Sequence, residues 1–253
     1  MTEINLDDKY LINKDSSSKG MLTKYFKNGV WYKLDCNGYE SKSEYIVSEL
    51  LKNSNISDFV EYELCVVNGK NACLSKDFLN HDESFKSFRG IYRAYTGNHL
   101  SKDILRINSI EDRVEFVIDF FKEKLNIDIK SYLQRVLWLD YIVKNDDRHF
   151  GNLGLVFNST SKTYRTAPIF DNGSSLLSNC FLYDLDKSIE KNLRKIVGTP
   201  FSASLKKQAE LFKNPYKFDL EFLNNIENCR AKKVLEISIA DIYNNNLMEC
   251  KLF

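Results

Sequence analysis

Glycine and proline are scarce in this 253-residue chain, ten and three residues respectively. The shortage reads as compositional bias and carries no function, and no internal repeat or low-complexity linker accompanies it. Charge of one sign is lacking too: 36 basic residues face 35 acidic ones, for a net charge of +1. That balance argues against nucleic acid held by bulk charge and leaves only a local patch. Long apolar runs are missing. The most apolar stretch, Val136 to Val143, is short and carries Asp140, so no membrane span is expected. Met1 to Lys9 has neither the basic start nor the apolar core of a secretory signal. The six cysteines include no C-x-x-C pair, which argues against zinc and against a disulfide frame, and fits small buried thiols in a reducing cytosol. What remains, with 43% hydrophobic and 28% charged residues, is an ordinary globular chain long enough for one large domain or two small lobes.

The pattern changes character near residue 80. Before it, strands are predicted over Lys9–Lys14, Leu22–Lys27, Val30–Leu34, Phe59–Val67 and Asn71–Ser75, two of the turns being Asn28-Gly29 and Asn68-Gly69. Ser41-Lys-Ser-Glu44 has capping-box spacing ahead of a helix from Glu44 to Lys52. After residue 80 helical periodicity dominates. Ser109 caps a helix with Val114, Val117, Ile118, Phe121 and Leu125 on one face. Ser131–Lys144 is apolar nearly all round, as in the middle of a lobe. Leu153–Phe157 and Tyr164–Thr166 form a short hairpin, and Asp186–Val197, Ser202–Lys213, Asp219–Glu227 and Lys232–Asn245 read as helices. The expectation is an α+β, two-lobed fold, with a small β-rich lobe over 1–80 and a larger helical lobe over 81–253, and a ligand cleft between them.

Two segments carry chemistry. Asn145-Asp-Asp-Arg-His-Phe-Gly-Asn152 follows the buried helix, and Ala167-Pro-Ile-Phe-Asp-Asn-Gly173 follows the hairpin. Phosphoryl transfer needs a carboxylate for the attacking hydroxyl, a carboxylate and an amide for Mg²⁺, and a cation on the phosphates. Asp147 and Asn152 have the spacing of a kinase catalytic loop, and Asp171 stands where the aspartate of a D-F-G segment would. Such hard oxygen donors suit Mg²⁺ over softer metals. Each segment alone also reads as a polar turn; the pair, in order and behind a β-rich lobe, reads as a site. Asp146 has the wrong spacing to Asn152, and His149 reads as a residue that organises the loop.

With Asn145, Asp147, Arg148, His149, Asn152 and Gly154, then Ala167, Pro168, Asp171, Gly173, Ser175 and Leu176, the chain resembles the HipA-like kinases. The resemblance is to the compact bacterial form, lacking the extra N-terminal subdomain. It implies a protein-kinase-like fold and an ATP- and Mg²⁺-dependent serine/threonine kinase with Asp147 as base and Asn152 and Asp171 on the metal. It implies Lys33, inside the strand Val30–Leu34, as the ATP-phosphate lysine, with Glu44 as its ion-pair partner and Glu49 as the other candidate. It also places Ser17, Ser18, Lys19 and Gly20 over the phosphates in a loop without G-x-G-x-x-G, where Ser16 to Ser18 are candidates for autophosphorylation. Leu74–Phe78 falls where a hinge would meet adenine. The implied partners are a protein substrate and a helix-turn-helix antitoxin, with no membrane and no direct nucleic acid, in the bacterial cytoplasm or as a secreted effector. Phosphoinositide kinases share D-R-H-x-x-N, so the acceptor stays open between protein and lipid. A non-catalytic nucleotide-binding component of a toxin–antitoxin pair is the remaining alternative.

Overall fold

The computed structural model of the chain describes residues 1–12 and 23–244. Two sheets and eight α-helices appear among them. Strands β1 (Thr2–Ile4), β2 (Lys24–Lys27) and β3 (Val30–Leu34) precede helix α1 (Glu40–Lys52), and β4 (Glu63–Val67) and β5 (Lys70–Lys76) follow it. They form one sheet of order β1-β4-β5-β3-β2, in which only β1 pairs in parallel. Asn28 and Gly29 both have positive φ, 52° and 75°, which is the conformation a two-residue hairpin turn needs. That turn fixes the register, so Lys24 lies directly opposite Lys33. Alternation along β3 sends Leu34 into a small apolar cluster with Tyr25, Cys65, Val67 and Ala72, and Lys33 to the opposite face.

The remaining elements build the helical lobe. Strand β6 (Glu83–Ser87) leads into α2 (Phe88–Thr96), α3 (Leu100–Ile104), α4 (Ile110–Leu125) and α5 (Lys130–Val143). Strands β7 (Gly154–Asn158) and β8 (Thr163–Thr166) join β6 in a three-stranded antiparallel sheet. Helices α6 (Ile189–Leu193), α7 (Leu205–Ala209) and α8 (Arg230–Asn244) close the described chain. The main core runs from α1 through α4, α5 and α8, and α5 is buried from Val136 to Val143, Asp140 included. No helix among the described residues is long and apolar enough to cross a membrane.

The α+β architecture, with a small β-rich lobe ahead of a larger helical one, is the one expected from sequence. Several local expectations change. The strand expected over Lys9–Lys14 is, where described, a 3-10 turn at Asp8–Tyr10 and a lone bridge from Leu11 to Tyr25. The strand from Phe59 shortens to β4, and Phe59 makes an isolated bridge to Ile169. Of the late helices, 186–197 shrinks to α6 and 202–213 to α7, while 219–227 is a 3-10 turn over Glu221–Asn225. The capping box does not form. Helix α1 starts before Ser41, whose N–H and hydroxyl both donate to the Asp35 carboxylate (2.6 and 2.9 Å), while Glu40 accepts from the N–H groups of Cys36 and Asn37. With those donors satisfied by other carboxylates, Glu44 is released from any capping duty. Cys65 and Cys73 are buried thiols as expected, but Cys36 is exposed.

Candidate active site

The site gathers on four elements. Lys33 extends from β3, and its ammonium donates to Glu44 Oε1 on α1 (2.6 Å), to Asp171 Oδ1 (2.9 Å) and to the Tyr62 hydroxyl (3.2 Å). Burial by itself would lower the pKa of this amine, but Asp171 and Glu44 outweigh it and hold Lys33 well above the ordinary lysine value. Glu49, the other candidate partner, instead binds Lys52 on its own helix (2.9 Å). The second oxygen of Glu44 accepts the backbone N–H of Asn172 (2.8 Å). One buried carboxylate thereby ties the strand lysine to the segment that carries Asp171.

Asp171 adopts a left-handed backbone, φ 61°, in the segment Phe170–Gly173. Aspartate tolerates that region better than most residues. The ring of Phe170 anchors the segment in an aromatic cluster with Phe78 and Phe85, at centroid distances of 5.5 and 5.3 Å. Burial would raise the Asp171 pKa; Lys33 first, then Lys24, reverse this and hold the carboxyl well below the usual range. Asp171 is therefore a fixed anion.

The catalytic-loop candidate is built on the end of α5. Lys144 closes the helix in a left-handed conformation, φ 59°, and the Asn145 N–H returns to the Asp140 carbonyl (2.9 Å). The side chains then lock the loop. Asn145 donates to the Asp140 carboxylate (3.0 Å) and accepts from the Asp147 N–H (3.2 Å). Arg148 is 1% exposed; it pairs with Asp140 (3.0 Å) and donates to the Phe170 carbonyl (2.7 Å) and to Asn172 Oδ1 (2.6 Å). Burial raises the Asp140 pKa against the pull of Arg148. Arg148 thus joins the loop to the Asp171 segment through two bonds, and to α5 through Asp140, that a sequence motif does not reveal. His149 Nδ1 accepts from the Gly151 N–H (3.2 Å), the loop-organising role expected of it. A Cβ on Gly151 would lie 2.9 Å from the His149 ring, so a larger residue there would require the ring to shift.

The two neighbouring aspartates separate cleanly. Asp146 accepts a hydrogen bond from the Tyr183 hydroxyl. Asp147 is exposed, and its carboxylate makes no hydrogen bond among the described residues. Partial enclosure by protein raises its pKa; His149 opposes the rise and the negative Asp171 adds to it. That influence places the two carboxylates within electrostatic reach of each other. Asn152 lies half-buried in the turn that ends the loop, its N–H on the His149 carbonyl (2.9 Å).

The structure therefore brings Lys33, Glu44 and Asp171 into direct contact, with Asp147 close enough to feel Asp171. Ser17, Ser18, Lys19 and Gly20, with Ser16, lie outside the described residues. Tyr62, Lys24 and Asn172 belong to the site and were not singled out from sequence. Lys24 could have been found, because the Asn28-Gly29 turn dictates that it faces Lys33; nothing local marks Tyr62. Among the described residues no group of three His, Cys, Asp or Glu forms a metal cage. Mg²⁺ in phosphoryl transfer asks for less, one or two carboxylates together with phosphate oxygens and water, and an ionised Asp171 with the Asn152 amide is a donor set of that kind.

No family model and no curated protein matches the sequence. Solved structures do match. The crystal structure of a Helicobacter pylori proinflammatory kinase, CtkA, is similar over 92% of this chain and 91% of its own, with a TM-score of 0.55 and 17% identity. A Shewanella oneidensis MR-1 toxin–antitoxin complex of HipA, HipB and operator DNA matches over 96% of this chain and 59% of its own, with a TM-score of 0.45 and 12% identity. At such identities the first likeness speaks for the fold, and that fold is the two-lobed, kinase-like one.

Proposed function

We propose that the chain is an ATP- and Mg²⁺-dependent phosphotransferase that acts on serine or threonine of a protein. The observation that carries this reading is the contact of Lys33 with both Glu44 and Asp171, beside an unengaged Asp147. Lys33 is fixed in position by a buried carboxylate, so its ammonium is available to phosphate oxygens without a cost in ordering. Asp171 stays ionised and, with Asn152, would hold Mg²⁺, which would supply neutralisation of charge on the phosphate oxygens. Asp147 accepts the proton of the attacking hydroxyl. That oxygen forms the new bond to the γ-phosphorus as the bond to the bridging oxygen breaks, and ADP leaves with the electron pair. Arg148 and Asn145 take no part in bond making; they hold the Asp147 loop on α5 and against the Asp171 segment.

The test is transfer of radiolabelled phosphate from ATP by the wild type, Asp147→Ala and Asp171→Ala, offered protein acceptors and, separately, phosphoinositide vesicles. The expected result is labelled protein with the wild type, lost by ~10²–10⁴-fold without the Asp147 carboxylate. Equal labelling by all three proteins would overturn the assignment of these residues, and label confined to lipid would overturn the protein acceptor.

A further inference from the structure

We infer that Lys24 donates directly to the terminal phosphates of the nucleotide, as a second cation beside Lys33. The inference rests on the phosphotransferase reading above and adds to it a residue that touches the phosphate donor.

The hairpin register puts the two lysines together. The Leu34 N–H donates to the Thr23 carbonyl (3.0 Å), so Thr23 and Leu34 form a hydrogen-bonded pair between the strands. The next pair, Lys24 and Lys33, is then a non-hydrogen-bonded one, with Cα atoms ~4.5 Å apart and both side chains on one face. Lys33 reaches Asp171 from that face, so Lys24 stands on the cleft side as well. After Lys33, it is the strongest positive charge acting on the Asp171 carboxylate. Lys27, the other lysine of β2, alternates to the opposite face, where its ammonium lies 5.0 Å from the centre of the Tyr10 ring. Beside the lysine pair on the cleft face, Phe26 and Trp31 form an aromatic pair with centroids 4.7 Å apart. The anion-binding part of the hairpin is therefore confined to Lys24 and Lys33.

A pair of like charges in this place asks for an anion. Like charges directly opposite one another on neighbouring strands destabilise a sheet, and both lysines are half-buried. The two carboxylates at hand, Glu44 and Asp171, both bind Lys33. Among the described residues Lys24 has no ion pair. A phosphate between the two ammonium groups removes their repulsion, and a triphosphate has oxygens for both.

The hydrogen-bond donors decide which lysine touches it. An ammonium has three N–H donors. Those of Lys33 go to Glu44 Oε1 (2.6 Å), Asp171 Oδ1 (2.9 Å) and the Tyr62 hydroxyl (3.2 Å). Lys33 thus brings its charge to a phosphate, but a hydrogen bond only in exchange for one of these contacts. The Lys24 ammonium makes no hydrogen bond among the described residues and keeps its donors for a ligand.

The test is equilibrium binding of adenosine, AMP, ADP and a non-hydrolysable ATP analogue, each with Mg²⁺ and in EDTA, to the wild type, Lys24→Met, Lys24→Gln and Lys24→Arg. The expected result is that both neutral variants bind the ATP analogue about ten- to hundredfold more weakly, as for the loss of one charge-assisted hydrogen bond. Lys24→Arg retains most of the affinity. The loss shrinks from the ATP analogue to AMP and is absent for adenosine, whose unchanged binding also shows that the variants are folded. The loss persists in EDTA, because a Lys24 that acted only by keeping Asp171 ready for the metal would matter only with Mg²⁺. Wild-type affinity for the analogue in both neutral variants, a loss confined to Mg²⁺, or an equal loss for adenosine in both would overturn the contact while the phosphotransferase reading stands. No binding of the analogue by the wild type would overturn that reading, and the role of Lys24 with it.

Discussion

Two aspartates in one cleft carry opposite proton affinities, and their roles follow from that difference. Asp171 is held ionised because Lys33 and Lys24 outweigh its burial. Asp147 has no such cation in contact; enclosure and the Asp171 charge push it up. A base must be able to take a proton, whereas a metal-holding group must not. On acidification Asp147 takes its proton first. With Asp147 in the proposed role of base, transfer is predicted to fall as the pH drops through a value above the ~3.9 of an ordinary aspartate. With Asp171 in the proposed role of metal holder, nucleotide binding is predicted to persist to lower pH because that pKa is depressed. Pre-steady-state transfer and equilibrium binding measured along one pH series separate the two limbs. Asp147→Asn is expected to abolish the upper limb and leave the lower; a single limb shared by both measurements would contradict this division of labour.

At the level of elements, α5 carries the loop and the buried pair of Asp140 and Arg148 fastens it. Taking one partner away leaves an uncompensated charge in the core, which costs about 3–5 kcal/mol, whereas replacing both with apolar residues of similar volume is close to neutral. Arg148→Met should therefore destabilise the fold by about 3–5 kcal/mol, and Arg148→Met with Asp140→Leu should recover most of it, as read by urea unfolding. The double variant should stay poor in transfer, because Arg148 also holds the Phe170 carbonyl and the Asn172 side chain. Full activity in the double variant would reduce the pair to a packing device. The elements that position the site differ in how far they were legible. The Asn28-Gly29 hairpin and the buried α5 were readable because their signals are local: turn chemistry in one, an apolar run in the other. Strand β6 was not, since Glu-Ser-Phe-Lys-Ser has no strand pattern and pairs with β7 some seventy residues on. The late helices were over-read as well: of the span expected from Asp186 to Val197 only Ile189–Leu193 is helical, and Val197 is exposed. In the site, residue types at fixed spacing singled out Asp147, Asn152 and Asp171 as candidates, while Glu44, which local sequence explained equally well by capping, pairs with Lys33. Tyr62 and Asn172 act through tertiary contacts that have no sequence spacing to read.

Across the whole molecule, the β-rich lobe meets the helical one along the segment from Ile169 to Cys180. Val60 donates to the Ile169 carbonyl (2.9 Å), Ser43 to the Ser175 carbonyl (2.8 Å), and Cys180 to the Asn37 carbonyl (2.8 Å). Gly38 comes so near that a Cβ there would lie 1.8 Å from the Ser178 carbonyl oxygen. Lys33 and Glu44 meet Asp171 and Asn172 in the middle of this seam. A ligand bound at that point touches both lobes, so its binding energy adds to the stability of the whole chain. With an ATP analogue and Mg²⁺ at a hundred times the dissociation constant the gain is about 2.7 kcal/mol. For a chain of this length that corresponds to a rise in Tm of about 5–10 °C. The rise should depend on Mg²⁺ in the wild type and in Asp147→Asn, since that aspartate is assigned to the acceptor proton and not to the nucleotide. In Asp171→Asn the Mg²⁺ dependence should be lost, leaving only the smaller shift the analogue gives without metal. If Asp147→Asn and Asp171→Asn responded alike, the two carboxylates would not hold separate roles, and the assignment of Asp171 to the metal would fall first.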